Sequence, residues 1–474
     1  MQEFNHSRRD FLKTIGLSAI GITLPQFLSC KCTSNTRKPN IIIIFCDDLG
    51  YGDLGSYGHP TIRTPNLDFI CREGQKWTNF YAAASVCTPS RAGLLTGRLP
   101  IRNGMCSDIR RVLFPDSAGG LPEDEITIAD AVKTQGYATA CIGKWHLGHL
   151  PRYLPARHGF DYYFGIPYSN DMDNVSNLPG KKSFRNPKVE YWNVPLMRNE
   201  EIIERPADQT TITKRYTQET VEFIKKTKDK PFFLYLAHTM VHVPLFVSKD
   251  FQDKSIRGLY GDAVEEIDWG VGQILKTLDE EGQSSNTLLV FTSDNGPWLS
   301  YNEQGGSAGL LKEGKGMTWE GGMREPTIFY WPGRIKPDII TDIGSTLDLF
   351  STVCNLAGAK VPTDRIMDSE NLSPVLLNGE SSSRETMFFY RGTQLYAVRK
   401  GPYKAHFITE FAYRADNKKR YHDPPLLFHL GHDPSEKYDI SQDYPEVIAD
   451  ILEEIKRHRS KLVVGTDQLA KRIK

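Results

Sequence analysis

The sequence has no excess of charge of either sign, since its 474 residues include 58 basic and 58 acidic side chains. Without a basic excess, we expect no nucleic-acid partner held through the release of phosphate counterions. Cysteine is also scarce, and the eight cysteines form neither a disulfide framework nor a pair of C-x-x-C metal knuckles. The remaining composition, 39% hydrophobic and 24% charged, is ordinary for a globular protein. The length predicts one large domain and a smaller one.

The N-terminal segment, residues 1–36, is interpreted as a targeting signal and not as part of the fold. Residues 7–13 (SRRDFLK) contain the paired arginines of a twin-arginine export signal. The apolar stretch that follows, residues 14–28, is too short to span a bilayer comfortably. We therefore predict transfer by the export machinery to the periplasm or cell surface of a bacterium. Cys30 is either a lipidation site or lost by cleavage nearby. The alternative interpretation of the whole segment is an amphipathic first helix of a cytosolic protein.

The rest of the chain alternates predicted strands with predicted helices. Residues 40–46 are a continuous apolar run, as a strand buried on both faces requires. Apolar residues recur at helical spacing between positions 264 and 278. This alternation predicts an α/β domain over residues 37–370, with a large, mostly parallel sheet flanked by helices. Further strands of this sheet are predicted at residues 137–142, 231–237 and 287–292.

The pattern changes after position 362, where the apolar runs become shorter. Two such runs, residues 387–390 and 395–399, predict antiparallel strands, and a terminal helix is predicted from about Pro445. Residues 371–474 are therefore expected to form a second, α+β domain.

Polar side chains accumulate where the predicted strands end. Ligands of parallel sheets bind outside the carboxyl ends of the strands, so these groups are expected to surround one crevice. Carboxylates with an amide oxygen suit Ca²⁺ or Mg²⁺, while lysines and histidines would hold an anionic ester and protonate its leaving group. The pattern predicts a metal-assisted hydrolase without choosing between phosphate and sulfate esters. The side chains are Asp47 and Asp48, Lys144 and His146, His238 and His242, and Asp294 and Asn295.

The segment Cys87-Thr88-Pro89-Ser90-Arg91 favours sulfate. It resembles the signature of the type I sulfatases, whose cysteine is oxidised after translation to formylglycine (3-oxoalanine). The resemblance extends over residues 38–440 and implies an alkaline-phosphatase-like sheet and a sulfuric ester hydrolase. Other matching motifs are DDLGYGD at 47–53, GKWHLG at 143–148, TSDNG at 292–296, GKG at 314–316 and EGGMREP at 320–326.

Carried over position by position, the resemblance implies one Ca²⁺ ion per chain. It also implies that the hydrated aldehyde attacks sulfur through one hydroxyl, giving a covalent sulfo-enzyme intermediate, and expels sulfate through the other. A cysteine adduct has no second hydroxyl and would stall. The implied metal ligands are Asp47, Asp48, Asp294, Asn295 and the aldehyde hydrate made from Cys87.

The same resemblance implies the groups that surround the reacting sulfur. Arg91 would hold the hydrated aldehyde, and Lys144 and Lys315 would hold sulfate oxygens. His242 would protonate the leaving oxygen, assisted by Lys315. His146 would accept the proton released when sulfate is expelled.

Two further residues are predicted to bind the substrate, Ser169 through the sulfate group and His406 by reaching a sugar from the second domain. Residues 403–407 and 427–431 look most like N-acetylgalactosamine-6-sulfatase and arylsulfatase A. This likeness favours exo-acting hydrolysis of sulfated galactose, N-acetylgalactosamine or algal oligosaccharides.

The expected partners are therefore the sulfated carbohydrate and an enzyme that oxidises Cys87, either a formylglycine-generating or an anaerobic sulfatase-maturing enzyme. Two alternatives stay open. One is a phosphatase or phosphodiesterase of the same superfold, and the other is a carbohydrate-binding lipoprotein without turnover.

Overall fold

The computed structural model describes residues 37–413, 415 and 417–473. The predicted export signal and Cys30 lie outside the described residues. From Lys38 onward the chain forms one compact unit, which contains a ten-stranded sheet and a four-stranded sheet. None of the helices in the described part is both long and apolar enough to cross a membrane. In chain order, the strands of the large sheet are β1 (Asn40–Cys46), β2 (Gln75–Tyr81), β3 (Ala138–Gly143), β4 (Tyr162–Gly165), β5 (Leu196–Arg198), β6 (Glu201–Glu204), β7 (Phe232–Ala237), β8 (Thr287–Ser293), β9 (Thr327–Tyr330) and β10 (Asp338–Ser345).

The large sheet is mixed, with a parallel centre. Its strand order is β10-β2-β9-β8-β1-β7-β3-β4-β5-β6. β1 pairs in parallel with both β7 and β8, and β3 pairs in parallel with β7 and β4. β9 runs antiparallel to both of its neighbours, as do β5 and β6 to each other. The predicted fold class is confirmed, and the four strands predicted for this sheet are the four adjacent strands at its centre.

Helices cover both faces of this sheet and one face of the small sheet. The hydroxyl of Thr64, the residue before the first of these helices, donates to Asp68 and accepts no capping hydrogen bond from the helix backbone. The helices are α1 (Pro65–Glu73), α2 (Cys87–Thr96), α3 (Pro100–Asn103), α4 (Ile128–Lys133), α5 (Lys182–Arg185), α6 (Ile212–Lys226), α7 (Leu259–Glu280), α8 (Glu320–Met323), α9 (Asp348–Ala357), α10 (Ser373–Asn378) and α11 (Pro445–Ser460).

β1 shows why the central strands are apolar along most of their length. Ile42 and Ile44 pack into one core with Val264 of α7, whereas Ile43 packs on the opposite face into the core that contains Leu94 of α2. All seven residues of β1 are buried. Since burial of one such side chain stabilises the fold by about 1.5–3 kcal/mol, both faces contribute to the stability of this strand.

The C-terminal residues form the predicted antiparallel sheet and terminal helix. The strand order is β11-β12-β13-β14, and every pair is antiparallel. Ile451 and Ile455 of α11 pack into one core with Val398 and Leu427 of this sheet. The strands are β11 (Thr386–Arg391), β12 (Gln394–Lys400), β13 (Tyr403–Thr409) and β14 (Arg420–His429).

A buried ionic cluster joins the small sheet to the segment that contains α8. The Nζ atom of Lys404 lies 2.8 Å from Glu320 Oε1 and 3.2 Å from Glu436 Oε1, and all three side chains are fully buried. The Glu320 backbone N–H also donates to Glu436. Although burial raises the pKa of Glu320, the charges of Lys404 and Arg324 lower it to about 2. The cluster therefore fixes the start of α8, five residues after Lys315.

His406 belongs to this cluster, which corrects the prediction that it reaches a sugar. Its Nε2 atom lies 2.7 Å from Glu436 Oε1, and its ring packs 4.1 Å from that of Trp319. The side chain is fully buried and does not line the catalytic cavity described below. His406 therefore supports the segment that carries Lys315 and has no open side for a ligand.

We predict that Lys404→Met lowers the free energy of unfolding by about 3–5 kcal/mol, because two buried carboxylates lose their cation. Lys400→Met on β12 is the matched control, since Lys400 pairs with the exposed Asp450. That change should lower the free energy of unfolding by no more than about 1 kcal/mol. Urea unfolding of the two variants measures the difference, and equal losses of stability would contradict a structural role for the buried cluster.

Candidate active site

The central strands bring the predicted metal-binding residues to one edge of the sheet. Asp47 and Asp48 directly follow β1, and Asp294 and Asn295 directly follow β8. The register aligns Cys46 with Ser293, so the two pairs leave the sheet at the same level. The backbone N–H of Asp48 donates to Asp294 Oδ1 over 3.2 Å. The parallel pairing of β1 and β8 therefore builds the base of the site.

Two of the predicted site residues have a left-handed backbone conformation, which residues other than glycine adopt rarely. They are Asp48, with φ of 59°, and His146, with φ of 58°. Such conformations cost of order 1–3 kcal/mol and persist where the surroundings impose them. The His146 backbone N–H, for example, donates to Pro167 O over 3.1 Å. Strain of this kind is concentrated at functional sites in proteins.

Two buried cations lie against the carboxylates at the base of the site. Arg91 donates through Nε and Nη2 to Asp294 Oδ2 over 3.1 and 2.8 Å, and its Nη2 atom lies 3.2 Å from Asp47 Oδ2. Lys144 forms an ion pair with Asp47. Burial opposes ionisation of Asp47, but the charges of Lys144 and Arg91 outweigh it and hold its pKa well below the usual range. Asp47 is therefore charged at neutral pH.

Lys315 approaches the same carboxylates from the segment before α8. Its Nζ atom lies 2.6 Å from Asp48 Oδ1 and 3.6 Å from Cys87 Sγ. Burial, together with the charges of Asp47 and Asp294, raises the pKa of Asp48 to about 7 against the opposing charge of Lys315. Burial therefore opposes the negative charge of Asp48 even with Lys315 beside it.

The donor set fits a hard divalent cation. Donor atoms of Asp47, Asp48, Cys87 and His242 all lie within 4.8 Å of one another. The Asn295 Oδ1 atom is buried without a hydrogen-bond partner, so it is available as a ligand. Carboxylate and amide oxygens are the ligands that Ca²⁺ and Mg²⁺ prefer. The structure thus gathers the predicted ligands and adds His242 beside them.

Cys87 is the first residue of α2, at the end of the helix where a negative charge is favoured. Its Sγ atom lies 3.3 Å from Asp47 Oδ1, and the side chain is 2% exposed. Burial and the charge of Asp47 raise the pKa of the Cys87 thiol well above its ordinary value. Because the thiolate is the nucleophilic form, the unmodified side chain is a poor nucleophile at neutral pH.

Hydrogen bonds to backbone carbonyls fix the tautomers of the two predicted catalytic histidines. His146 must donate through Nε2 to Leu113 O, 2.9 Å away, which leaves its buried Nδ1 atom unpartnered. His242 must donate through Nδ1 to Val243 O, 2.5 Å away. Its Nε2 atom lies 3.7 Å from Asp48 Oδ2 and faces the cluster. Each histidine therefore has one ring nitrogen free for proton transfer.

A cavity of about 720 Å³ opens above this cluster. Arg91 and Lys144 lie behind its wall, fully buried, and Lys144 Nζ donates to Ser169 Oγ over 3.1 Å. Buried His238, which also followed a predicted strand, does not line the cavity. The residues from the sequence analysis that line it are Cys87, His146, Ser169, His242 and Lys315.

Three residues of the cavity wall had no signal in the sequence. Asp171 places an unpartnered Oδ1 atom in the site, and burial raises the pKa of its carboxyl. Arg111 and Tyr413 contact each other near the mouth, with Arg111 Cζ 4.6 Å from the ring centroid. All three lie in loops, where no periodicity marks a functional side chain. Only the position of Asp171 two residues after Ser169 could have indicated a role.

The family model described as Sulfatase matches residues 39–359, and the model described as the C-terminal region of aryl-sulfatase matches residues 382–474. The chain belongs to the sulfatase family. The enzyme class expected from the Cys87 motif, a sulfuric ester hydrolase, is thereby confirmed.

Curated relatives match this sulfatase over most of their length. Arylsulfatase A of Bos taurus is 42% identical over 88% of this chain and 86% of its own length. N-acetylgalactosamine-6-sulfatase of Mus musculus is 39% identical over 97% of this chain and 91% of its own. Both names were anticipated from the motifs of the second domain.

Solved structures share the fold of this sulfatase. The PsFucS1 sulfatase from Pseudoalteromonas sp. superposes with a TM-score of 0.79 at 29% identity, covering 91% of this chain and 93% of that one. Ps i-CgsB, in complex with k-i-k-neocarrahexaose, superposes with a TM-score of 0.76 at 31% identity, covering 92% and 95%. A phosphonate monoester hydrolase of Agrobacterium radiobacter shares the fold alone, at 18% identity and a TM-score of 0.62. The fold by itself therefore does not decide between oxyacid esters.

We predict that a divalent cation stabilises the folded enzyme, because the clustered oxygen ligands that would bind it come together only in the folded state. Ca²⁺ at one hundred times its dissociation constant should raise the free energy of unfolding by about 2.7 kcal/mol if it binds only the folded state. The midpoint of thermal unfolding in chelator, and again after addition of Ca²⁺, measures this gain without any assay of activity.

Asp48→Asn should remove most of the response to Ca²⁺, since it takes one carboxylate from the cluster. Asp171→Asn should retain the response, because Asp171 lines the same cavity outside the group of close donor atoms. A parent enzyme with the same midpoint in chelator and in Ca²⁺ would contradict the proposed donor set.

Proposed function

We propose that this sulfatase is an exported enzyme that removes sulfate esters from carbohydrates, acting on terminal 6-sulfated galactose or N-acetylgalactosamine. The observation that carries the proposal is the convergence of Cys87, His146, His242 and Lys315 on one cavity. The cavity volume, about 720 Å³, lies in the range of small-molecule sites. The similarity to N-acetylgalactosamine-6-sulfatase over 97% of the chain supports the choice of sugar.

The nucleophile in this proposal comes from Cys87 after oxidation to formylglycine. The hydrated aldehyde would supply one hydroxyl to attack sulfur and a second to expel sulfate, which a thiol does not have. The high thiol pKa of Cys87 supports the need for this conversion. Since Cys87 is 2% exposed in the folded chain, the oxidising enzyme has to act before folding is complete. For a chain exported in the folded state, that step belongs in the cytoplasm.

In this proposal Lys315 binds the sulfate group from the cavity wall, and Lys144 orients it from behind the wall through Ser169. Lys144 and Lys315 lie within hydrogen-bond distance of Ser169 and Asp48 respectively, so their charges are fixed before the substrate arrives. Donors held in place in this way cost little reorganisation when charge develops on the ester oxygens. Arg91 holds Asp294 and Asp47 in position and contacts the base of the site.

Ca²⁺ is the cation that fits this family and this donor set, with Asp47, Asp48, Asp294, Asn295 and the modified Cys87 as its ligands. Bound there, it would withdraw negative charge from the ester oxygens during the attack.

The two histidines divide the proton transfers in this proposal. His242 releases a proton from Nε2 to the leaving oxygen, because its Nδ1 atom is held by Val243 O. His146 accepts a proton at Nδ1, the nitrogen that has no partner, when sulfate is expelled. Burial lowers the pKa of both rings well below the ordinary value, so His146 is unprotonated at neutral pH and its Nδ1 atom can accept a proton. For His242, Nε2 has to be protonated in the substrate complex, where the sulfate charge assists.

We predict sulfate release from N-acetylgalactosamine 6-sulfate by enzyme produced together with a maturing enzyme. The 4-sulfate and the 6-phosphate of the same sugar should react more slowly. Cys87→Ala should lower kcat on the order of 10⁶-fold, the size of effect seen when a hydrolase loses its nucleophile. Ion chromatography of released sulfate and phosphate provides the measurement.

Cys71→Ala is the matched control, since Cys71 is a buried cysteine on α1 outside the cavity, and its turnover should equal that of the parent. Preferential release of phosphate would contradict this proposal and indicate a phosphatase. Binding of the sulfated sugar without any release would contradict it and indicate a carbohydrate-binding protein.

A further inference from the structure

A second cavity of about 240 Å³ adjoins the catalytic cavity, and the reaction proposed above makes no use of it. It lies between the residues that precede α2 and the turn that joins β11 to β12, where Gly392 forms part of the wall. Ile109, Arg110 and Arg111 line both cavities. The two cavities therefore meet at this loop.

The wall of the second cavity carries more positive than negative charge. Among the described residues that line it there are four cations and two carboxylates. The cations are Arg110, Arg111, Arg391 and Lys419, and the carboxylates are Asp108 and Glu410.

Two of these cations are already paired. Arg110 donates to both carboxylate oxygens of Asp116, over 2.5 and 2.7 Å, and Arg391 lies 3.2 Å from Glu410. Asp108, in turn, accepts hydrogen bonds from Thr393. Within the described part of the chain, Arg111 has no carboxylate at ion-pair distance. Its charge is therefore available to a ligand.

Arg111 is also held in place at the junction of the two cavities. Its guanidinium lies over the ring of Tyr413, with Cζ 4.6 Å from the centroid. A side chain at Gly316 would meet Arg111 Nη1 at 3.5 Å and Tyr413 at 2.9 Å, so this glycine is required for the close packing. Gly316 directly follows Lys315. The free guanidinium is thus packed against the residue next to a catalytic lysine.

Arg111 and Arg391, on the wall of the second cavity, repel each other. Burial lowers the pKa of Arg391, and the charge of Arg111 lowers it further, despite the presence of Glu410. An anion between the two guanidinium groups would relieve this repulsion. Arginine is also the side chain best suited to bind a carboxylate or a sulfate ester through two parallel hydrogen bonds.

We propose that the second cavity is a subsite for an acidic group on the sugar next to the sulfated one, with Arg111 as the residue that binds it. The inference rests on the proposed function and makes it more specific. At a third of the volume of the catalytic cavity, the space suits one ring or substituent and not a longer oligosaccharide. The substrate is then an acidic disaccharide unit, with either a carboxylate or a second sulfate ester on the neighbouring sugar.

Three disaccharides with the same 6-sulfated terminal sugar test this inference. The neighbouring sugar is neutral in the first, carries a carboxylate in the second and carries a sulfate ester in the third. The parent enzyme should have a higher kcat/KM for at least one of the acidic disaccharides, and the preferred one identifies the acidic group. Arg111→Gln should reduce that preference about 10- to 100-fold, mainly through KM, as expected for the loss of one charged hydrogen bond.

Arg110→Gln is the matched control, because Arg110 comes from the same loop but is paired with Asp116. It should retain the preference, and Arg111→Lys, which keeps the charge without the planar fork, should lie between parent and Arg111→Gln. Equal kcat/KM for the three disaccharides in the parent, or the same loss in Arg110→Gln and Arg111→Gln, would overturn the subsite. Release of sulfate from none of the three would instead overturn the proposed function.

Discussion

The burial of three carboxylates at one edge of the central sheet is the constraint on which the rest of the site depends. Isolated charges are too costly to remove from water, so Asp47, Asp48 and Asp294 require cations within a few ångströms. Those cations come from separate elements: Arg91 from α2 and Lys144 from the residue after β3. The site is thus specified by the pairing of buried charges as much as by shape.

The second sheet helps to hold the segment that contains Lys315. This segment has no regular structure, and its backbone is anchored by hydrogen bonds from Lys315 N–H to Pro297 O and from Gly316 N–H to Ser85 O. Its far end is fixed by the second sheet, where Lys404 of β13 binds Glu320 and where Trp319 packs on His406. The small sheet therefore contributes to the position of Lys315, although none of these buried side chains lines the catalytic cavity.

The sequence predicted the centre of the fold well because the central strands are buried on both faces and read as apolar runs. Short edge strands were missed, since β6 is largely exposed and has no continuous apolar run. Strand-end position identified the polar residues of the site, and the family motif added Cys87 and Lys315. His406 was misplaced because a motif match does not reveal which way a side chain on β13 points. Arg111 was missed because its importance arises from a neighbouring loop that is distant in sequence.

The mass of the tryptic peptide that spans residues 77–91 tests the central claim most directly, since this peptide contains Cys87 and ends at Arg91. The protein should be isolated from a host that contains a maturing enzyme, in the folded and exported form. The account predicts a peptide in which an aldehyde replaces the thiol, visible by mass and by reaction with a hydrazine. An unmodified thiol in protein that releases sulfate at full rate would contradict the account, because the buried, protonated Cys87 would then be a competent nucleophile.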